Sequence, residues 1–229
     1  TNTKRNHEHN KSTMMSLTTA SLSRNSLVLR TMQRTAIRLL TSKVAASAAE
    51  ALADLSLNGA RIALGGFGTS GVPETLVNQL SRTNNAENLT LVALDSGPDG
   101  YGASKIIEAG KVRKLVTSFI GESKFVRDNY FAGKMDLELV PQGTIAAQLR
   151  AAGSGIPAFY THTGVGSMYA TGGVPVRYSK DGSRKVEITS PARTIDSFGG
   201  KDYILEPSLH ADVSLVKARK ADTLGNLVF

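Results

Sequence analysis

The chain has 229 residues, is 41% hydrophobic, contains no cysteine and carries a formal net charge of +8. That length allows one large domain or two small ones, and the absence of cysteine excludes a disulfide framework, a thiol nucleophile and a thiolate metal site. Eight of the 27 basic residues but only one of the 19 acids fall in residues 1–43, so the body is nearly neutral. It offers no basic surface interleaved with aromatics for nucleic acid, and no apolar run approaches the roughly 20 residues that span a membrane.

Residues 1–13 are polar, and Met14-Met15 follows, where translation is expected to start. His7 and His9 stand in this tail without partners for a metal and are read as incidental. From Met15 to about Ala46 there is no acid, while Arg30, Arg34 and Arg38 recur at every fourth residue. Leu29, Met32, Ala36, Leu39 and Leu40 fall largely on the opposite side of such a helix. This is the pattern of a mitochondrial transit peptide, with a membrane-surface helix or a solvated charged helix as rivals. Residues 1–44 are therefore expected to be a disordered leader, and residues 45–229 the folded domain.

Ala45 to Leu57 is helical in composition, and Asn58-Gly59 turns into a strand at Ile62–Leu64. A glycine cluster, Gly65, Gly66, Gly68 and Gly71, leads to Pro73 and a helix over Glu74–Leu80. Strands are predicted at Leu89–Leu94, Leu115–Phe119, Leu137–Val140 and Ala158–Tyr160. Helices are predicted between them at Tyr101–Ala109, Lys124–Phe131 and Thr144–Ala152. Strand and helix alternate five times, which argues for an α/β fold with an open, mostly parallel sheet and helices on both faces. Beyond Thr161 the texture is loop-rich. Val174–Tyr178 and Lys185–Thr189, joined through Asp181-Gly182, read as a small β-hairpin subregion. Tyr203–Leu205 and Val213–Val216 are further strands.

The stretch Asn58 to Glu74 (NGARIALGGFGTSGVPE) reads as strand, tight loop and helix. Four glycines in seven residues allow positive φ and close approach to a ligand, and the loop empties onto a helix N-terminus that favours an anion. Gly66-Phe67-Gly68-Thr69-Ser70-Gly71 fits the dinucleotide pattern G-x-G-x-x-G, and Asp95 stands where that pattern wants an acid for the ribose. Pro73 argues against it. A helix starting at the middle glycine would place Pro73 in its second turn, against the carbonyl of Thr69. A start near Val72 puts the proline where it is tolerated. On a parallel sheet, ligands sit at the carboxyl ends of the strands. The glycine loop, the loop from Asp95 and the loop at Pro141-Gln142 all fall there.

The run Asn58-Gly59, Ile62-Ala63-Leu64, Gly65-Gly66-Phe67, Gly71 and Pro73 resembles the signature of the family I coenzyme A transferases. Leu139–Thr144, Gly155–Thr161, Tyr203–Glu206 and Ala211–Phe229 are similar to the same family, most of all to its mitochondrial succinyl-CoA:3-ketoacid members. The resemblance covers about residues 45–229 and implies an α-type half, truncated at its C-terminal end. It implies transfer of coenzyme A, as a substrate and not a resident cofactor, from succinyl-CoA to a 3-oxoacid such as acetoacetate in the mitochondrial matrix. In such enzymes a glutamate attacks the thioester to give an acyl anhydride, and CoA thiolate then forms an enzyme thioester.

That glutamate belongs to the other half, in a Ser-Glu-Asn-Gly type motif that this chain lacks. Glu122 is only a superficial match and is expected to begin the following helix. No catalytic residue and no metal ligand is therefore assigned here. The partner is a β half, fused or separate, and the complete enzyme is expected to be a homo-oligomer. The substrate and CoA wall is assigned to Gly65, Gly66, Phe67, Gly68, Gly71, Pro73, Asp95 and Gln142. Gln142 can donate to a carboxylate or can simply cap its loop. Many relatives carry Asn-Asn where this chain has Leu94-Asp95, and a carboxylate facing a dicarboxylic acid would repel it. His162 and His210 are read as structural. The alternatives are a nucleotide or sugar-phosphate binding module on a similar sheet, or a protein of the same fold without catalytic activity.

Overall fold

The computed structural model describes residues 43–229. Residues 1–42 of the leader, including Arg30, Arg34, Arg38, His7 and His9, lie outside the described residues. Within residues 46–219 the first helix, α1 (Ala48–Ala53), is capped by the Ser47 side chain, which accepts from the Glu50 amide at 3.1 Å. There follow β1 (Arg61–Leu64), α2 (Glu74–Arg82), β2 (Leu89–Ala93), α3 (Ala103–Glu108), β3 (Val112–Thr117), α4 (Lys124–Phe131), β4 (Asp136–Leu139) and α5 (Gln142–Gly153). Next come β5 (Ala158–Thr161), α6 (Met168–Thr171), β6 (Pro175–Tyr178), β7 (Val186–Thr189), β8 (Ile195–Phe198), β9 (Lys201–Pro207) and β10 (Val213–Leu215).

The main sheet has five strands in the order β10-β1-β2-β3-β4, and every neighbouring pair is parallel. Side chains alternate across it with the two-residue period of a strand. Ile62, Leu64, Leu91, Leu115, Leu137 and Leu215 pack with Leu52, Val77, Leu80, Ile106 and Val126 of α1 to α4. Val92, Val116 and Val140 point the other way, onto Ile145 and Leu149 of α5. All five residues of β2 are buried, as expected of a strand covered on both faces.

From β1 to β4 each strand lies beside its predecessor. A right-handed crossover puts each connecting helix on the same face. After β4 the chain passes to the other face through α5 and returns at β10, on the far side of β1. The direction of winding thus reverses at β1. The crevice outside the carboxyl ends at such a reversal is where ligands bind in open α/β sheets.

Two sequence expectations are corrected. The strand at Ala158 does not extend the parallel sheet. It pairs antiparallel with β9 in a separate sheet of order β5-β9-β8, with Phe159 opposite Glu206. The fifth parallel strand is the short run Val213–Leu215, with Ile62 opposite Val213. The predicted hairpin is present as β6–β7. Asp181 shapes its turn by accepting from the Ser183 amide at 2.9 Å and the Ser179 hydroxyl at 2.6 Å. Those bonds hold its carboxyl down at about 2. Arg177 joins the hairpin to β4 through a two-pronged pair with Asp136 at 2.6 and 2.7 Å. Gly133 is needed where the two meet, since a Cβ there would lie 2.2 Å from the Tyr178 carbonyl oxygen.

The segment 220–228 forms its own small unit with residues 43–45. In it β11 (Lys220–Ala221) and β12 (Leu227–Val228) pair antiparallel around Asp222, which accepts from the Leu224 and Asn226 amides, each at 2.9 Å.

Candidate functional site

The loop after β1 is built by two short constraints. Phe67 and Ser70 exchange backbone hydrogen bonds, each 2.9 Å, which makes a tight turn with Gly68 and Thr69 at its tip. Gly66 has φ +113°, and a Cβ there would meet the Val72 backbone at 2.9 Å, so the loop closes on itself only with glycine. The helix begins at Glu74 with Pro73 as its N-cap, after the third glycine of the pattern. The dinucleotide spacing, which needs the helix to start near Gly68, is not met.

The loop is tied to its neighbour, residues 94–102, by side chains. The Gly68 amide donates to Asp95 Oδ2 at 2.6 Å, and the Gly97 amide donates to Asp95 Oδ1 at 3.0 Å. The Tyr101 hydroxyl donates to the Thr69 carbonyl at 3.2 Å, and the Gly102 amide to Glu74 Oε1 at 3.0 Å. Asp95 is only 7% exposed. Both of its oxygens are engaged by backbone donors, beside a small crevice also lined by Gly66, Val72 and Gly97. The Ser96 amide continues the network to the Phe119 carbonyl at 3.1 Å, at the end of β3. Among the described residues, the amides of Gly66, Thr69, Gly71 and Val72 make no hydrogen bond. Four free N–H groups within seven residues, next to a helix N-terminus, can stabilise an oxyanion or a carboxylate.

Gly65 is anchored to β10 by its amide, which donates to the Leu215 carbonyl at 2.9 Å. From Gly65 a groove of about 440 Å³ runs between α5 and the β1–β10 edge, lined by Leu94, Ala146, Leu149, Leu209, Ser214 and Val216 among others. That volume suits a small acyl group or a flexible arm. Gln142 is exposed and is the first residue of α5, two residues earlier than the predicted helix start. It shares a helix face with Ala146, four residues on, and so stands at the groove's carboxyl-edge end. The loop residues Gly65, Gly66, Phe67, Gly68, Gly71 and Pro73 fall within one turn of chain, and Asp95 touches them.

Other candidates have structural roles. His162 Nδ1 lies 2.8 Å from the Asp202 carbonyl, and its ring packs edge-on against Tyr203. The His210 carbonyl accepts from Arg61 at 2.9 Å, and the ring rests on the Ser208 hydroxyl. Glu122 does not begin a helix. It is exposed, and α4 starts at Lys124 under a Ser123 cap, with Ser123 accepting from the Val126 amide at 3.0 Å. Asp99 takes the acid's place beside that helix: the Ser123 hydroxyl first, and then the Phe125 amide, lower its carboxyl below the usual range. Sequence reasoning missed Phe119, which is 51% exposed at the end of β3, as Phe67 is 55% exposed at the loop tip. Its place at a strand's carboxyl end was the available signal.

A parallel sheet with a glycine loop at its reversal point, and a groove that opens from the first residue of that loop, is the arrangement in which open α/β sheets take ligands. Over residues 45–229 the sequence matches the coenzyme A transferase family, and the chain belongs to that family of transferases. It is 43% identical over 187 residues to the A-type polypeptide of a probable succinyl-CoA:3-ketoacid coenzyme A transferase of Mycobacterium tuberculosis, covering 82% of this chain and 74% of that one. It is 41% identical over 190 residues to the human mitochondrial succinyl-CoA:3-ketoacid coenzyme A transferase 2, covering 83% of this chain but only 36% of the relative. Among solved structures, an Escherichia coli O157:H7 acyl-CoA transferase in thioester complex with CoA superposes with a TM-score of 0.65 at 21% identity, over 80% of this chain and 36% of that one. Glutaconate coenzyme A-transferase of Acidaminococcus fermentans superposes with a TM-score of 0.61 at 21% identity, over 79% of this chain and 58% of that one. These two share the fold.

Proposed function

We propose that this chain is the half of a 3-oxoacid CoA-transferase that lacks the nucleophilic glutamate. With a glutamate-bearing partner half it moves coenzyme A from succinyl-CoA to a 3-ketoacid such as acetoacetate. The observation that carries the reading is the Gly65–Pro73 loop, whose first residue lines the groove and whose amides at Gly66, Gly71 and Val72 are free of hydrogen bonds among the described residues. The names of the mycobacterial and human relatives support the substrate pair. The mycobacterial relative is named as one polypeptide of a multi-chain transferase, which supports a second half for this chain, separate or fused.

In this reading the partner's glutamate attacks the thioester carbonyl. The negative charge that develops on the carbonyl oxygen needs fixed donors, and the loop amides supply them. Collapse expels CoA thiolate and leaves an acyl anhydride. The thiolate then attacks the glutamyl carbonyl of that anhydride, releasing the first carboxylate and leaving CoA on the glutamate. The acceptor carboxylate runs the same steps in reverse. Gln142 holds the substrate's remote carboxylate through its amide N–H groups. The groove lined by Leu94 and Leu149 takes the apolar part of the substrate. Residues 1–44 direct the chain to the mitochondrial matrix, and the complete enzyme assembles as an oligomer.

The test mixes the full chain with the partner half of a relative and follows CoA transfer from succinyl-CoA to acetoacetate. Transfer is expected only with both halves, and Gln142→Ala is expected to lower kcat/KM by about 10- to 100-fold. A stable complex without transfer would overturn the reading in favour of a non-catalytic role.

A further inference from the structure

We infer that Asp95 is a positioning residue for the transfer and does not itself meet the substrate. This rests on the function proposed above and assigns a different task to one residue of that site. An acid at the end of β2, next to the loop, has two possible uses. Facing the groove, it would contact the substrate and repel its carboxylate. Facing inward, it would bind the loops together.

The geometry favours the second. The carboxylate is 7% exposed, and its two oxygens take one backbone donor each, Gly68 from the first loop and Gly97 from the second. A buried carboxylate with both oxygens engaged satisfies two amides that would otherwise be orphaned. Gly68 sits at the tip of the Phe67–Ser70 turn, so a single side chain fixes the tip at one end. The turn leads directly to Gly71 and Val72, whose free amides are two of the proposed oxyanion donors. Donors that must not reorganise during the reaction need such anchoring. Gly97 is confined as well: a Cβ there would stand 3.0 Å from the Tyr101 carbonyl oxygen. The second loop is therefore a firm base for the first. In this chain both sides of the place present a backbone donor, so the Asn that many relatives hold here implies a loop seated differently from this one. An amide side chain offers one acceptor oxygen and sets its own N–H₂ against the other backbone N–H.

The test is Asp95→Asn in the full chain assembled with its partner half. Misplaced donors are expected to lower kcat by about 10- to 100-fold while the KM for the acceptor acid stays within about twofold. If Asp95 faced the substrate, removing its charge would lower that KM and leave kcat intact, and this result would overturn the inference. A second measurement needs no turnover. Amide exchange at Gly68 and Gly97 in the full chain is expected to quicken about tenfold or more in Asp95→Asn, with β3 amides such as Val116 unchanged. Equal exchange in both proteins would also overturn it. Should the unaltered chain transfer no CoA, the functional proposal fails, while amide exchange still decides the role of Asp95.

Discussion

The two faces of the parallel sheet are held in different ways. On the face covered by α1 to α4, the packed core is apolar, and Leu80, Leu91, Ile106 and Val126 are fully buried. On the face covered by α5, a small apolar patch adjoins a charged network. Glu206 of β9 is fully buried and accepts from Gln148 of α5 at 2.8 Å and from Arg193 at 2.9 Å. The Arg193 guanidinium stacks 3.9 Å from the Tyr169 ring centroid, and Lys114 pairs with Glu138 at 2.7 Å. The first face derives its stability from area removed from water, which is not directional. The second depends on a few groups meeting at set distances, so it specifies where the antiparallel sheet docks as well as stabilising it.

The contrast can be broken from either side. Leu91→Ala on the apolar face is expected to cost about 3–5 kcal/mol, read as a shift in the denaturant midpoint, because the cavity left between two packed layers cannot collapse. Arg193→Ala on the other face is expected to cost about 2–4 kcal/mol, since it leaves Glu206 buried with no cation beside it; partial exposure of Arg193 keeps the loss below that of a fully buried pair. The same carboxylate gives the second face a pH dependence of its own. Burial raises the Glu206 carboxyl above its ordinary 4.5, against the lowering pull of Tyr169, Arg193 and Gln148. The folded chain therefore holds that proton after the unfolded chain has lost it. This contribution to stability is present below about 4.5 and is lost as pH rises towards the raised value. Urea titrations across that window are expected to show a downward slope that Glu206→Gln flattens.

The apolar face was largely legible in the sequence. Strands at β1 to β4 and their helices follow from apolar runs broken by glycine and polar turns, and only their ends shift, by at most four residues. The second face was not legible, because its pairings are remote. Nothing local in Ala158-Phe159-Tyr160-Thr161 says that it pairs with residues 204–207 instead of joining the parallel sheet. Nor can three residues, Val213 to Leu215, announce that they lie beside β1. At the site, glycine spacing and Pro73 gave the loop and excluded an early helix start. The partner of Asp95 was hidden for a different reason: it is a backbone amide 27 residues away, and a backbone donor leaves no mark in side-chain pattern.

Smaller effects sharpen the picture within the loop. Gly66→Ala meets both a positive φ of +113° and the Val72 backbone, and is expected to cost about 2–3 kcal/mol. Gly68→Ala has φ +55° and open space around its Cβ, so about 1–2 kcal/mol is expected from backbone conformation alone. Thermal unfolding of the two variants separates close packing from conformational freedom as the reason for each glycine.

The central claim is that this chain completes a site for a glutamate it does not itself carry. The most direct measurement is the mass of the partner half after mixing with succinyl-CoA, with and without the full chain. The account predicts that the partner's glutamate acquires CoA as a thioester only when this chain is present. CoA attachment to the partner alone at the same rate, or none in a stable complex of the two, would contradict it.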